Sequence, residues 1–307
     1  MAVLEYILLI VGSYFIGNIS WARIISKKHN GDITKNGSGN PGTMNMLRTY
    51  GVGLGFATLV LDAIKGVLAS LIGYFLFKYT KLNADIGLYV AGLSAVVGHM
   101  FPVIYKFKGG KGVATSLGVF MVANPLWLLI AFVGGFVYVW FFDYGSVASL
   151  VIITFMSVVQ GYQNNLTYAD DLKTLLVLNL LIFAIFTLVW VAHRKNIVRL
   201  LIGKENKANL QKSFKKKLST QKKEEAKIEY HESKSELKQE YKKLKADYRK
   251  DVKAKKKQLK RQFKNIKSSL KQANSDLLAT ELQNEFEETS VNEDIKQIAD
   301  DNISQQN

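Results

Sequence analysis

Three short stretches gather the residue types that hold phosphate. The first is NGSGNPGTMN, residues 36–45, which runs on to Arg48 and Thr49. It offers hydroxyls, side-chain amides and one guanidinium, all suited to an oxyanion. The second is FKGGKGVAT, residues 107–115, with Lys108 and Lys111 set around Gly109 and Gly110, then Gly112 and Thr115. Glycine lets backbone N–H groups approach an anion, and a helix start near Val113 adds its own attraction. The third is HRKNIVRLLIGKE, residues 193–205, with His193, Asn196 and Glu205. Taken alone, the second stretch reads equally as a basic turn.

Other chemistries fail on these residues. Gly37, Gly39 and Gly42 spell G-x-G-x-x-G, but that fingerprint must follow a strand and open a helix in a βαβ unit. Here apolar helical segments flank it, so the dinucleotide reading falls. FKGGKG is not a Walker A loop, because Gly112 follows Lys111 where Ser or Thr is required. Ser38 is a nucleophile only with a base beside it, and otherwise a turn serine. His193 could be a general base, a phosphate donor or a cation closing a helix. His99 reads as a packed histidine. There is no cysteine, no H-E-x-x-H and no clustered ligand set, so neither a metal nor a cofactor is expected. No histidine has Asp five positions on, which excludes the soluble-type glycerolipid acyltransferase signature.

The elements that must position these residues are membrane helices. About 20 apolar residues cross a bilayer. Residues 3–25, 53–77, 86–105, 146–163 and 172–192 qualify, and 113–142 is long enough for one tilted span or two short ones. Residues 3–25 do not read as a secretory signal, having no basic stretch ahead of them and no cleavage site. The loops 26–52, 106–111 and 193–217 are basic, while 78–85 and 163–171 are not. The positive-inside rule then places all three motifs in the cytoplasm. Parity requires a break in 113–142, at Asn124-Pro125, giving an all-α bundle of about seven spans with the N-terminus outside and the tail inside. Asp62 and Lys65 lie mid-span, three residues apart, as a structural ion pair or part of a polar site.

Taken in order, GSGNPG..N..R, GHMFPV....FKGGKGVAT and HR.NI.RL..G.E resemble the bacterial acyl-phosphate:glycerol-3-phosphate acyltransferase family. The resemblance spans roughly residues 1–206. It implies acyl transfer from an acyl phosphate to the 1-hydroxyl of glycerol 3-phosphate, giving lysophosphatidic acid and phosphate at the start of phospholipid synthesis. It also implies that Ser38, Gly39, Asn40, Gly42, Thr43, Asn45 and Arg48 line the polar site, with Lys108, Lys111 and the intervening glycines cradling phosphate and Thr115 following in register. YGSVAS, residues 144–149, resembles a further serine-bearing segment carrying Ser146 and Ser149; by itself it reads as small-residue helix packing. His193 and Asn196 are expected to hold glycerol 3-phosphate near the donor, and Glu205 completes the motif. This chain departs from the family's usual G-A-T-N by reading G-T-M-N at Gly42–Asn45, and it has Thr34 where an Arg is common.

Residues 1–203 form the expected enzyme domain. Residues 204–274 form a basic tail with an apolar seam at 230, 237, 241, 244 and 248, then 252, 259, 263, 266 and 270. The spacing is a heptad with one extra step of four. It fits a weak coiled coil that self-associates, a basic helix on anionic lipid, or a solvated charged helix. Nothing resembles a nucleic-acid-binding module. Residues 275–307 are acidic and polar and read as disordered. Two other readings stand beside the enzyme: a transporter or channel for a phosphorylated anion, and a membrane scaffold centred on the tail.

Overall fold

The computed structural model describes residues 2–272, all of whose regular structure is helical. The helices are α1 (Ala2–Asn18), α2 (Trp21–Lys28), α3 (Thr43–Tyr50), α4 (Val52–Tyr79), α5 (Ala84–Met100), α6 (Val113–Ala123), α7 (Pro125–Phe142), α8 (Gly145–Thr167), α9 (Leu172–Ala192), α10 (Arg194–Leu201) and α11 (Leu210–Gln272). A 3-10 turn covers Val103–Tyr105. The chain divides into a unit ending at Gln221 and a second beginning at Lys222. The expected boundary at Gly203 falls inside the first unit, because residues 208–214 pack back onto α7 and the turn after it.

Among the described residues, six segments are long and apolar enough to cross a membrane: Val3–Lys28, Val52–Tyr79, Ala84–Tyr105, Pro125–Phe142, Gly145–Thr167 and Leu172–Ala192. The break expected at Asn124-Pro125 is present. Asn124 turns the chain out of helix at φ −155, and Pro125 opens α7, where its missing N–H is not needed. The seventh expected span is therefore a separate helix, α6. Its 11 residues rise only about 16 Å, short of a bilayer core of about 30 Å. The first expected span is interrupted after Asn18, and its last turns form α2. The polar loop of the first motif also holds an unexpected helix, α3.

The membrane-length segments carry apolar residues on their outer as well as their inner faces, as burial in lipid demands. On α9, Leu178, Ile182, Ile185 and Val189 are buried, while Leu172, Leu176, Leu180 and Phe183 stand exposed on the outer face. The inner faces of α5 to α9 build one core around Tyr89, Phe120, Ile153, Met156 and Leu178. Helix α6 lies unusually close to α4. A Cβ on Gly66 would collide with the Thr115 carbonyl, and one on Gly118 with that of Ala63. Small residues at such crossings let backbones approach without lost packing. That contact fixes where α6 begins, and so where Lys111 stands. At the opposite end, Tyr168 donates its hydroxyl to Asp85 at 2.6 Å.

The second unit is supplied by α11, an unbroken helix to Gln272. It begins at Leu210 rather than at 204 and has no Pro or Gly. Its seam residues Tyr230, Leu237, Tyr241 and Leu244 are exposed. The disorder expected for 275–307 concerns residues outside those described.

Candidate active site

A cavity of about 1380 Å³ opens at the end of the bundle that carries all three motifs. Its polar part is lined by Ser38, Arg48, Lys108, Lys111, His193, Asn196 and Arg199, with Asp62 and Glu205 as its only carboxylates among the described residues. Its apolar part runs between the helices, along Phe56 and Leu59 of α4, Leu117 of α6, Phe132 and Phe136 of α7, Ile152 of α8 and Leu188 of α9.

The second and third motifs meet here. The Lys111 ammonium donates to Asn196 Oδ1. Asn196 Nδ2 donates to Glu205 Oε1 at 2.6 Å, and Arg199 Nε donates to Glu205 Oε2 at 2.9 Å. The result is a charged chain of four side chains across the site. Burial pulls Lys111 down to about 8, with Glu205 opposing the shift and Arg199 and Arg48 adding to it. Burial pushes the Glu205 carboxyl up, but hydrogen bonds from Asn196 and Arg199 more than offset this, and it ends below the ordinary range. Ser146, buried in the first turn of α8, adds to that ionised state. Burial also lowers Arg48, which donates Nε to the Met44 carbonyl at 2.9 Å.

His193 caps both α9 and α10 and is only 2% exposed. Its Nδ1 lies 2.8 Å from the Val189 carbonyl. Nδ1 must therefore carry the proton, leaving the Nε2 lone pair as an acceptor. Burial, followed by the Lys111 charge, pulls its pKa down to about 4. His193 is thus a neutral acceptor at physiological pH and not a cation closing a helix.

The glycines of the second motif serve a different end from the one expected. Gly109 N donates to the Met100 carbonyl and Gly110 N to the His99 carbonyl, each at 3.1 Å, so neither amide is free for phosphate. A Cβ on Gly110 would collide with His99 Nε2, and one on Gly109 with the His99 carbonyl. These glycines let the loop lie flat on the end of α5. The donors left for an anion lie just beyond, at the start of α6, where Gly112 caps the helix at φ +81. Lys108 is exposed on the rim, and its carbonyl accepts from Arg23 Nη2 at 2.7 Å. Arg23 also lies 4.6 Å over the Tyr105 ring.

In the first motif, Gly37 and Gly39 take φ +60 and +71, which glycine permits without strain. Gly39, Asn40, Gly42 and Thr43 line the cavity. Asn45 is a correction. It lines the cavity, but its Oδ1 accepts from Ser38 N at 2.9 Å and its Nδ2 donates to the carbonyls of Asn36 and Ile33, so both of its donors staple the loop and none is left for phosphate. Ser38 is exposed, and among the described residues no base hydrogen-bonds it, which removes the ground for a nucleophile. Met44 packs on Gly145, where a Cβ would strike its methyl. The departure at Thr43-Met44 thus joins α3 to the start of α8.

Two further expectations are revised. Thr115 is fully buried, does not line the cavity and leaves its hydroxyl without a hydrogen bond; its backbone faces Gly66 of α4 instead. Ser149 lines the cavity, but its hydroxyl donates to the Gly145 carbonyl at 2.8 Å. Sequence reasoning missed Arg23, Arg199 and the role of His99. Lys65 forms an ion pair with Asp62 at 2.9 Å and reaches His99 Nδ1 at 2.7 Å and the Gly17 and Ile19 carbonyls. This buried cluster ties the interruption between α1 and α2 to the floor beneath the glycine loop. Its signal in the sequence was the mid-span pair itself.

A bundle of membrane-length helices with a cation-rich cavity at one end, continuous with an apolar groove, defines a multi-pass membrane protein. The family described as Glycerol-3-phosphate acyltransferase matches residues 7–203, and the chain belongs to that family. It is 40% identical over 210 residues to a Glycerol-3-phosphate acyltransferase of Finegoldia magna, covering 67% of this chain and 98% of the relative. One from Clostridioides difficile is 36% identical over 217 residues, covering 69% of this chain and 100% of the relative. Among solved structures, the glycerol 3-phosphate form of PlsY (YgiH), an integral membrane glycerol 3-phosphate acyltransferase, is similar at 30% identity. Its TM-score is 0.56, covering 66% of this chain and 94% of that one.

Proposed function

We propose that this acyltransferase moves an acyl group from an acyl phosphate to the 1-hydroxyl of glycerol 3-phosphate. The products are lysophosphatidic acid and inorganic phosphate, and the reaction begins phospholipid synthesis. The observation that carries the reading is the Lys111–Asn196–Glu205–Arg199 chain, which sets charged donors beside an apolar groove.

The acyl chain lies along Phe132, Phe136 and Ile152, and its phosphate meets the α6 N-terminus and Lys111. Glycerol 3-phosphate lies against His193, Asn196 and Arg48. His193 Nε2 accepts from the acceptor hydroxyl and orients it. A group with a pKa of about 4 is a weak base, so it does not need to remove the proton. The hydroxyl oxygen bonds to the acyl carbon as the carbon–phosphate oxygen bond breaks, and the proton leaves on the departing phosphate. The donor already carries a good leaving group, so positioning and charge stabilisation suffice. No covalent acyl-serine is invoked, in keeping with a Ser38 that lacks a base.

The N-terminus lies outside the cell membrane and the motif loops and the tail on the cytoplasmic side, an orientation that counts the short α6 as one of seven passages although it is shorter than the bilayer core. This orientation rests on the basic loops 26–52, 106–111 and 193–217. The tail either self-associates along its seam or contacts anionic lipid.

The test is direct. Purified protein in detergent receives an acyl phosphate and labelled glycerol 3-phosphate. Labelled lysophosphatidic acid that disappears in Lys111→Ala is the expected result. No product with an acyl phosphate donor, or labelled substrate crossing liposomes unchanged, overturns the reading.

A further inference from the structure

The family match ends at residue 203, yet the cavity wall does not. Asn206, Leu210, Phe214 and Lys217 also line it. The last three lie on the first turns of α11, the helix that opens the tail. Their position is fixed by a set of contacts to the end of α7. Ala208 N donates to the Asp143 carbonyl at 2.7 Å, and Leu210 N to Asp143 Oδ1 at 3.3 Å. Gln211 Nε2 donates to the Trp140 carbonyl at 2.8 Å. The Phe214 ring meets the Trp140 indole edge-on, 5.8 Å between centroids, and Leu210 is 5% exposed. Asp143 can present both acceptors because it closes α7 in the left-handed conformation, at φ 68.

We propose that the first turns of α11 are a working part of the active site. Phe214 props the helix on Trp140, and Lys217 is a substrate-binding cation at the cavity rim. The inference rests on the acyl-transfer reading above. Lys217 lies three residues beyond Phe214, on nearly the same helix face and about 4.5 Å further along. Phe214 rests on α7, whose Phe132, Gly135, Phe136 and Val139 wall the apolar groove. Lys217 therefore stands at the rim beside the α7 wall of the groove in which the acyl chain is placed. Its ligand is the phosphate of the incoming acyl phosphate, met at the rim before that phosphate reaches Lys111. The ammonium steers that dianion to the mouth while the acyl chain enters between the helices. The tail then belongs to the enzyme through its first two turns, whatever the remainder contacts.

Full-length Lys217→Ala, Lys217→Arg and Phe214→Ala, with Lys238→Ala as a control further along the tail, are compared by steady-state kinetics. Lys217→Ala is expected to raise KM for acyl phosphate about threefold to fivefold, the size of one exposed charge contact, with kcat and KM for glycerol 3-phosphate unmoved. Lys217→Arg restores it, Phe214→Ala reproduces the loss, and Lys238→Ala behaves as wild type. An active wild type with an unchanged donor KM in Lys217→Ala overturns the inference alone. A change confined to the glycerol 3-phosphate KM overturns the donor assignment. A wild type without turnover overturns the acyl-phosphate reading, and the inference with it.

Discussion

Lys111 and Asn196, 85 residues apart, are joined by a hydrogen bond from the ammonium to the amide oxygen, and the other end of that amide holds Glu205. Asn196 is buried and Lys111 and Glu205 are half-buried, so each depends on the others to keep its charge or dipole satisfied. This makes the group a unit. Asn196→Ala is expected to lower kcat/KM by roughly 100-fold, the size of losing one positioned donor in a charged site. Lys111→Ala should cost at least as much. The double variant should lose far less than the product of the two, and a double-mutant cycle measures the coupling.

The pH dependence follows from Lys111. Its ammonium must be charged to hold phosphate, and burial sets it at about 8 in the free protein. The kcat/KM profile should therefore fall as pH rises through about 8. Glu205 supports that charge. Glu205→Gln removes the support, so the alkaline limb should move to lower pH. A limb that stays in place would exclude Lys111 as the titrating group.

His193 is neutral and buried, so the acid side of the same profile should show no imidazole titration near 6.5. His193→Gln keeps an acceptor in the site and should retain more activity than His193→Ala. Equal loss in both would show that the Nε2 acceptor does not matter.

Gly110→Ala drives a methyl into His99 Nε2 and should lift the loop that ends at Lys111. A loss of kcat/KM of at least about tenfold is expected from a shift of this kind. Gly134→Ala is the control, because a Cβ there meets nothing within 4 Å. Circular dichroism should show both variants equally helical.

The Asp62–Lys65 pair is buried at 1% and 2% exposure. Removing one partner leaves an unpaired charge at membrane depth, at a cost of about 3–5 kcal/mol. Lys65→Met should lower the midpoint of thermal unfolding in detergent steeply. Replacing both, with Asp62→Leu added, should recover part of the loss.

Much of this protein is written locally. Runs of about 20 apolar residues set the six membrane-length segments, Asn124-Pro125 sets the break between α6 and α7, and clusters of Gly, Asn, Lys and Arg mark the loops that line the cavity. Those signals are legible because hydropathy, proline stereochemistry and charge act on neighbouring residues. The assignments that changed depend on contacts distant in sequence. Asn45 became a staple because Ile33 and Asn36 curl back to its amide. Gly109 and Gly110 lost their phosphate role because the carbonyls of His99 and Met100 reach them first. Thr115 turned inward because α6 packs backbone to backbone on α4 through Gly66 and Gly118. A motif fixes which donors are available. Only the packed bundle decides which of them its own backbone already holds, and so which remain for a substrate.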